Sequence, residues 1–290
     1  MNTMNVFEDK RVVITLDAGG TNFVFSAIQG DNEVTEPIHL PSVPDDLSKC
    51  LSTITDGFQQ IIDKCSIPPV AISFAFPGPA DYPNGIIGDL GNLPCFRGGI
   101  ALGPMLEEKF KLPVFINNDG DLYAYGEAIA GYLPYINQLL EDAGSPKQFN
   151  NLVGFTLGTG FGAGIVRNGE LFIGDNSGAG EVWLMRNKLD PEMNAEEGVS
   201  IRAIRQEYAR IAGIPFDNAP TPKEIFEIAN GNLQGNKEAA INSFKRMGEV
   251  LGDAIANVLT LVDGVAVIGG GLAGAASLFF PRMIEEMNAN

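Results

Sequence analysis

Residues Val12–Phe25 read VVITLDAGGTNFVF, and this segment sets the architecture of the chain. The apolar, β-branched residues at its start belong to a predicted buried strand, Arg11–Leu16, and the apolar residues at its end begin a second one, Phe23–Ile28. The residues between them are small or polar, which is typical of a tight turn. The segment therefore predicts a β-hairpin whose tip carries a carboxylate and the glycine pair Gly19 and Gly20.

The same arrangement returns in the middle of the chain. Strands are predicted on both sides of the turn Gly158–Gly160. One offset aligns the two hairpins: Gly20-Thr21-x-Phe23 lies on Gly158-Thr159-x-Phe161. This internal similarity predicts two related α/β lobes, residues 1–118 and residues 119–290, each of which begins with a hairpin.

The glycines of the second hairpin also have the spacing of a dinucleotide-binding fingerprint. That motif requires a helix directly after the glycines. Here aromatic and β-branched residues follow, from Phe161 to Val166, and predict a strand. Dinucleotide binding at this segment is therefore excluded.

Composition narrows the class of protein. The 290 residues are 45% hydrophobic and 19% charged and include 35 glycines, which is typical of a compact α/β protein with many turns. The net charge of −17 disfavours nucleic acid as a partner, since phosphate contacts need clustered Lys and Arg. Small phosphates remain compatible with this charge, because backbone N–H groups and Mg²⁺ can hold them.

Cysteine content and apolar run length predict a cytoplasmic protein that binds no membrane. The apolar runs are too short for a membrane span, and the first ten residues lack the core of a signal peptide. Cys50, Cys65 and Cys95 are odd in number and widely spaced, which favours reduced thiols over disulfides or a zinc site. His39 is the only histidine, so chemistry that needs paired histidines is excluded.

Three further segments carry candidate chemistry. Asp119 lies between a predicted strand and a helix expected from about Leu122, where a carboxylate can accept a proton during phosphoryl transfer or act as an N-cap. Glu181 follows a glycine-rich turn and is either a ligand contact or a solvated turn residue. Gly269–Gly271 follow a predicted strand and open the next helix, either as a plain turn or to admit a flat ligand.

The order of these motifs resembles that of the ROK family of sugar kinases and repressors, which belongs to the actin-like ATPase superfamily. The motifs that carry the resemblance are Asp-x-Gly-Gly-Thr, Pro-Gly-Pro, Asn-Asp, Gly-Thr-Gly-x-Gly-x-Gly, Gly-x-Gly-Glu and Gly-Gly-Gly. The resemblance implies a two-lobed α/β fold, ribonuclease H-like, with a central ligand cleft. It also implies ATP-dependent phosphorylation of a free hexose of glucose type, with Mg²⁺ as the metal and homodimerisation, which is common in the family.

The resemblance also implies a role for each candidate residue. Asp119 matches the general base, and Asp17 matches a carboxylate that holds Mg²⁺ through water. Residues expected at the nucleotide are Asp17, Gly19, Gly20 and Thr21 in the first phosphate loop, Gly158, Thr159 and Gly160 in the second, and Gly269, Gly270 and Gly271 on the adenosine side. Residues expected at the hydroxyls of the sugar, a small-molecule partner, are Asn92, Asn118 and Glu181.

The chain departs from the family pattern in three places. After Glu181 it lacks the usual Gly-His and the cysteine cluster, so no structural zinc is expected and one usual sugar contact is missing. Asp121 stands where the family has Asn, and this added carboxylate is expected to raise the pKa of one carboxylate of the pair or to alter sugar specificity. Family members normally continue well beyond the triple glycine, so the second lobe is expected to close differently or to be truncated near Asn290.

Two alternatives to a kinase stay open at the level of sequence. The missing histidine and the Asp121 change are compatible with a non-catalytic sugar-binding sensor. A ROK-type transcriptional regulator would carry a helix-turn-helix ahead of the kinase-like region, and the negative charge disfavours DNA.

Overall fold

The computed structural model describes residues 6–19, 21–78, 80–91 and 93–289. Gly20 and Asn92, two of the proposed ligand contacts, lie outside the described residues. The chain divides into two compact units. The first unit extends to Leu122 and includes Gly174–Ser177, and the second comprises Tyr123–Ile173 and the chain from Gly178 onward.

The first unit is built mainly from short strands with helices between them. Its strands are β1 (Val12–Ala18), β2 (Asn22–Gln29), β3 (Asn32–Glu33), β4 (Ile38–Pro41), β5 (Ala71–Ala75), β6 (Ala80–Asp81), β7 (Ile86–Ile87), β8 (Ile100–Ala101) and β9 (Val114–Asn117). Its helices are α1 (Leu47–Lys64) and α2 (Leu102–Phe110), and α3 (Asp119–Ile129) begins in this unit.

The predicted first hairpin is confirmed, and it lies at the centre of the main sheet. The strand order is β3-β2-β1-β5-β9, with β4 paired to β2. Strands β1 and β2 are antiparallel, whereas β5 is parallel to both β1 and β9. In this register Asp17 lies opposite Ala75, and Ala75 lies opposite Asn117. The carboxyl ends of three neighbouring strands therefore meet at one edge of the sheet.

Phenylalanine rings fill the core of the first unit. Helix α1 starts where Asp46 caps it by accepting a hydrogen bond from the Lys49 N–H. It packs so closely on the sheet that a Cβ on Gly57 would lie 2.3 Å from the Phe25 ring. Phe25 in turn meets Phe58 edge to face at 5.2 Å between ring centroids. Gly57 is therefore required by the packing of α1 against the sheet.

The second unit has a smaller sheet and more helix. Its strands are β10 (Asn151–Leu157), β11 (Phe161–Arg167), β12 (Glu170–Leu171), β13 (Arg186–Asn187), β14 (Asp190–Asn194) and β15 (Val265–Gly269). Its helices, besides the remainder of α3, are α4 (Tyr132–Asp142), α5 (Glu196–Val199), α6 (Ile201–Ala212), α7 (Pro222–Asn230), α8 (Lys237–Val262) and α9 (Ala276–Met287).

The predicted second hairpin is also confirmed. The strand order is β12-β11-β10-β15, with β10 antiparallel to β11 and parallel to β15. Because β11 and not a helix follows Gly160, the exclusion of a dinucleotide fingerprint is confirmed as well. The turn is one residue shorter than the first, since Leu157 pairs with Phe161 whereas Ala18 pairs with Phe23. The offset read from the sequence therefore aligns β2 with β11. The alignment of β1 with β10 needs an offset that is one residue larger.

Helix α8 forms the centre of the second core. Its apolar face is buried against the sheet and against α6, α7 and α9. Two glycines bring α8 and α9 close together, because a Cβ on Gly248 would lie 2.4 Å from the Phe279 carbonyl oxygen and one on Gly252 would lie 2.6 Å from that of Met283. Among the described helices, none combines the length and the apolar character needed to cross a bilayer.

Candidate functional site

In the first unit the β1–β2 turn presents an exposed carboxylate. Asp17, the penultimate residue of β1, is exposed, and so is Thr21 on the other side of the turn. The Gly19 N–H donates to the Asn22 carbonyl oxygen at 3.1 Å, and a Cβ on Gly19 would lie 2.8 Å from that oxygen. Gly19 therefore closes the turn through its own backbone, which leaves the side chains of Asp17 and Thr21 to face a ligand.

Asp119 lies at the same edge of this sheet, directly after β9. Helix α3 begins at Asp119 itself, three residues earlier than the sequence indicated. Asn118 fills the N-cap position, because its carbonyl accepts from the Leu122 N–H at 3.0 Å and its side chain accepts from the Gly120 N–H at 2.8 Å. Asp119 is exposed in the first helical turn, and its carboxylate also accepts from the Gly120 N–H, at 2.9 Å.

The register of the sheet brings Asp17 near this turn. Asp17, Ala75 and Asn117 lie side by side on adjacent strands. At the usual spacing of about 4.8 Å between strands, two spacings separate Asp17 from Asn117 by about 10 Å. The two candidate carboxylates of the first unit, Asp17 and Asp119, therefore belong to one edge although a hundred residues separate them.

Asp121 has a different environment from Asp119. It is only 4% exposed, whereas Asp119 is exposed. Residues two apart on a helix do not share a face. The carboxylate that departs from the family pattern therefore points toward the protein interior and not alongside the candidate base.

In the second unit the Gly158–Gly160 turn offers backbone donors to a ligand. The Gly158 N–H donates to the Gly160 carbonyl at 3.0 Å, which closes the turn. Within the part of the chain that the structure describes, no group accepts a hydrogen bond from the N–H of Thr159 or Gly160. A Cβ on Gly158 would meet nothing within 4 Å, so the turn is open on that side, whereas a Cβ on Gly160 would lie 2.7 Å from the Glu196 carboxylate. Unpaired N–H groups beside open space fit the oxygens of a phosphate.

The three glycines Gly269–Gly271 at the end of β15 lie next to this turn, and each has a different environment. A Cβ on Gly269 would lie 2.5 Å from the Tyr123 ring. Gly270 has a φ of +85°, and a Cβ there would lie 2.4 Å from the Leu157 carbonyl oxygen. Gly271 is exposed and has nothing within 4 Å of its Cβ position. Of the three, only Gly271 leaves room for a ligand, and α9 begins five residues later, at Ala276, after a short 3₁₀ turn.

Sequence reasoning missed Glu196, which contacts the Gly158–Gly160 turn. Its carboxylate accepts from the Phe161 N–H at 3.1 Å and lies 3.6 Å from the Arg202 guanidinium. The Ile201 N–H, at the start of α6, donates to the Gly158 carbonyl at 2.9 Å. The available signal was a Glu-Glu pair shortly before a Ser N-cap, which reads as an ordinary helix start.

Glu181 is exposed at the start of a short 3₁₀ turn, Val182–Leu184. The preceding Gly180 has a φ of +88°, and a Cβ there would lie 2.6 Å from the Ala163 carbonyl oxygen of β11. The indole N–H of Trp183 donates to the Glu181 carboxylate. The backbone before Glu181 is thus anchored on β11, and the Trp183 indole orients its carboxylate.

Among the described residues, the cysteines belong to no cluster of metal-ligating side chains. Over the described ranges no group of three or more His, Cys, Asp or Glu residues is arranged to hold a metal ion. Cys50, Cys65 and Cys95 are free thiols of the first unit. Burial, together with the neighbouring Cys95, raises the pKa of Cys50 to about 12, so this thiol stays protonated.

Comparison with known proteins identifies the family. Residues 13–289 match the model of the ROK family. The N-acetyl-D-glucosamine kinase of Vibrio cholerae is 29% identical over 286 residues, which cover 93% of this chain and 86% of the relative. The crystal structure of the glucokinase of Parabacteroides distasonis superposes with a TM-score of 0.94 at 58% identity and covers 98% of this chain and 80% of that one.

A ROK glucokinase from Streptomyces griseus, solved with glucose and AMPPNP, has a TM-score of 0.67 at 19% identity, over 95% of this chain and 88% of its own. This more distant likeness supports the fold alone. The family match over nearly the whole chain, together with the similarity to the glucokinase at 58% identity, decides the class. The chain belongs to the ROK family and is a glucokinase-like sugar kinase with the two-lobed α/β fold of the actin-like proteins.

Proposed function

We propose that this protein transfers the terminal phosphoryl group of ATP to a hydroxyl of a free, glucose-type hexose, with Asp119 as the general base. The observation that carries the proposal is the exposed Asp119 carboxylate at the start of α3, on the sheet edge that also holds Asp17. Asn118 caps the helix, and the exposed carboxylate of Asp119, one oxygen of which accepts from the Gly120 N–H at 2.9 Å, offers its other oxygen to a substrate.

The residues present fit ATP and Mg²⁺. The exposed carboxylate of Asp17, beside a glycine turn, suits an Mg²⁺ ion held through water. The N–H groups of Thr159 and Gly160 suit phosphate oxygens, and the space beside Gly271 suits the adenosine. When bound, the metal ion neutralises charge that develops on the phosphates.

The role of the chain's own residues follows from this arrangement. Asp119 accepts the proton that the sugar hydroxyl loses as its oxygen bonds to phosphorus, while ADP leaves with the electron pair of the broken P–O bond. General base catalysis of this kind contributes about 10²–10⁴-fold. Most of the remaining rate comes from positioning and charge neutralisation, to which Asp17 and the two glycine turns contribute.

The other sugar hydroxyls are assigned to Asn118 and Glu181, and to Asn92 outside the described residues. Asn118 offers an amide half-buried beside Asp119, and Glu181 offers an exposed carboxylate. Glucose is the first substrate to test because the relative at 58% identity is a glucokinase. N-acetyl-D-glucosamine is the second, because the Vibrio cholerae relative is a kinase of that sugar.

The test is Asp119→Asn, which keeps the shape of the side chain and removes its basicity. ADP release is measured with glucose, N-acetyl-D-glucosamine and other hexoses, and sugar binding is followed by the fluorescence of Trp183, the only tryptophan. We expect sugar binding to persist while turnover falls by at least about a hundredfold. Asp56→Asn, at an exposed position in α1, is the matched control and should retain full turnover. Substantial turnover in Asp119→Asn would refute the assigned role.

A further inference from the structure

The hydroxyl of Tyr82 lies between the ends of two neighbouring strands of the first unit. The side chain is 7% exposed. Its hydroxyl donates to the carbonyl of Phe76, directly after β5, at 3.0 Å. The same hydroxyl accepts from the Asn118 side-chain amide, directly after β9, at 3.5 Å. One phenol therefore connects the carboxyl ends of β5 and β9.

Asn118 passes this connection on to the first turn of α3. While its amide nitrogen donates to Tyr82, its amide oxygen accepts from the Gly120 N–H at 2.8 Å, and the same N–H also donates to the Asp119 carboxylate at 2.9 Å. The chain of hydrogen bonds thus runs from the Phe76 carbonyl through Tyr82 and Asn118 to the backbone beside Asp119. With both ends of the Asn118 amide engaged, rotation of its side chain would break one of these hydrogen bonds.

The turn that carries Tyr82 is itself held on several sides. Tyr82 begins a short 3₁₀ turn in which the Asp81 carboxylate accepts from the Asn84 N–H at 3.3 Å and from its side-chain amide at 2.8 Å. At the end of the turn, the Gly85 carbonyl accepts from the Gly103 N–H of α2 at 2.9 Å. A Cβ on Gly78 would lie 2.9 Å from the Tyr82 hydroxyl oxygen. The phenol therefore occupies one well-defined place.

From this geometry we infer that Tyr82 is a positioning residue for sugar phosphorylation. Its hydroxyl orients the Asn118 amide and supports the turn on which Asp119 stands, an inference that rests on the proposed function of those two residues. Nothing in the sequence motifs indicates this role, because Tyr82 stands thirty-six residues from Asn118 and belongs to none of the glycine turns. The contact exists only because β5 and β9 are adjacent in the sheet.

The test is Tyr82→Phe, which removes the hydroxyl and keeps the ring. We expect kcat/KM for the hexose to fall about tenfold, on the order of what one buried hydrogen bond contributes. The KM for the sugar should rise while the KM for ATP stays unchanged, because Asn118 is assigned to the sugar. Tyr135→Phe, at a tyrosine that is 55% exposed, is the matched control and should leave both values unchanged.

Two further measurements separate positioning from a general loss of stability. Hydrogen exchange at the Gly120 amide should accelerate in Tyr82→Phe and not in Tyr135→Phe. The double variant Tyr82→Phe/Asn118→Ala should bind the sugar no more weakly than Asn118→Ala alone, because the hydroxyl acts through that amide. An unchanged sugar KM in Tyr82→Phe, or additive losses in the double variant, would overturn the role of Tyr82. A wild-type protein that phosphorylates no hexose would instead overturn the proposed function.

Discussion

The two glycine turns occupy equivalent places in their sheets but carry different chemistry. In the first unit Asp17 lies opposite Ala75 of the neighbouring parallel strand, and in the second unit Thr156 lies opposite Gly269 at the corresponding place. The first turn therefore presents an exposed carboxylate, whereas the second presents a hydroxyl and two N–H groups that no described residue engages. We therefore propose that the same backbone arrangement serves cation binding in the first unit and phosphate binding in the second.

The loops that neighbour the two turns also carry different chemical groups. In the first unit the neighbouring loop supplies Asn118 and Asp119 at the start of α3. In the second unit the neighbouring loop is Gly269–Gly271, where only Gly271 leaves open space. The first unit therefore holds the candidate base and the second holds the glycines, which fits a division between acceptor activation and phosphate binding.

Replacing the carboxylate of the first turn tests the charge difference, with the largest expected effect. Asp17→Asn should lower turnover at least about a hundredfold and raise the Mg²⁺ concentration needed for half-maximal rate, because it weakens the hold, through water, on a metal ion whose charge stabilises the transition state. Thr156→Val, at the equivalent place, removes no charge and should cost far less. ADP release against Mg²⁺ concentration measures both variants, and equal losses would remove the distinction between the turns.

The triple glycine offers a sharper comparison within the second unit. Gly270→Ala should lower the free energy of unfolding by at least about 2 kcal/mol, because its φ is +85° and the Leu157 carbonyl blocks the new methyl group. Gly271→Ala should fold with wild-type stability and instead raise the KM for ATP. Urea unfolding and steady-state kinetics check the pair. A destabilised Gly271→Ala with an unchanged KM would show that this glycine serves the fold and not a ligand.

A substitution at Glu196 tests whether the Gly158–Gly160 turn depends on the carboxylate that accepts from the Phe161 N–H. Glu196→Gln keeps an acceptor for the Phe161 N–H but loses the charge that faces Arg202, so we expect kcat/KM for ATP to fall by up to about tenfold. Glu197→Gln is the matched control, because Glu197 also pairs with Arg202, whereas the carboxylate that accepts from the Phe161 N–H is that of Glu196. Equal kinetic losses in the two variants would mean that only the ion pair with Arg202 matters.

The smallest effect concerns the thiols, all of which belong to the first unit. The thiolate is the reactive form, so the raised pKa of Cys50, about 12, predicts that iodoacetamide leaves this residue unmodified at pH 8. Cys65 is partly exposed and its pKa is raised by burial, so it should react slowly and faster as pH rises. Peptide mass mapping of the native protein distinguishes them. Modification of Cys50 at the same rate as Cys65 would contradict the raised pKa of Cys50.

Much of the fold could be predicted from local sequence pattern. Both hairpins follow from the placement of apolar residues on either side of a turn of small and polar residues, and the structure confirms them. Their periodicity reflects which face is buried, and that information is contained in each segment by itself. The predicted start of α3 was three residues too late. Apolar residues mark the helical pattern only from Leu122, whereas the helix already begins at Asp119, after the N-cap Asn118.

The sequence alone determined the family, the two hairpins and the residue types at the candidate site, because each is written in contiguous motifs. Only the tertiary structure decided that Asp17 and Asp119 share a sheet edge, that Gly269 and Gly270 serve packing while Gly271 stays open, and that Glu196 and Tyr82 support the neighbouring turns. The physical reason is that strand order and helix packing bring distant segments within hydrogen-bonding range, and no local pattern records which segments become neighbours.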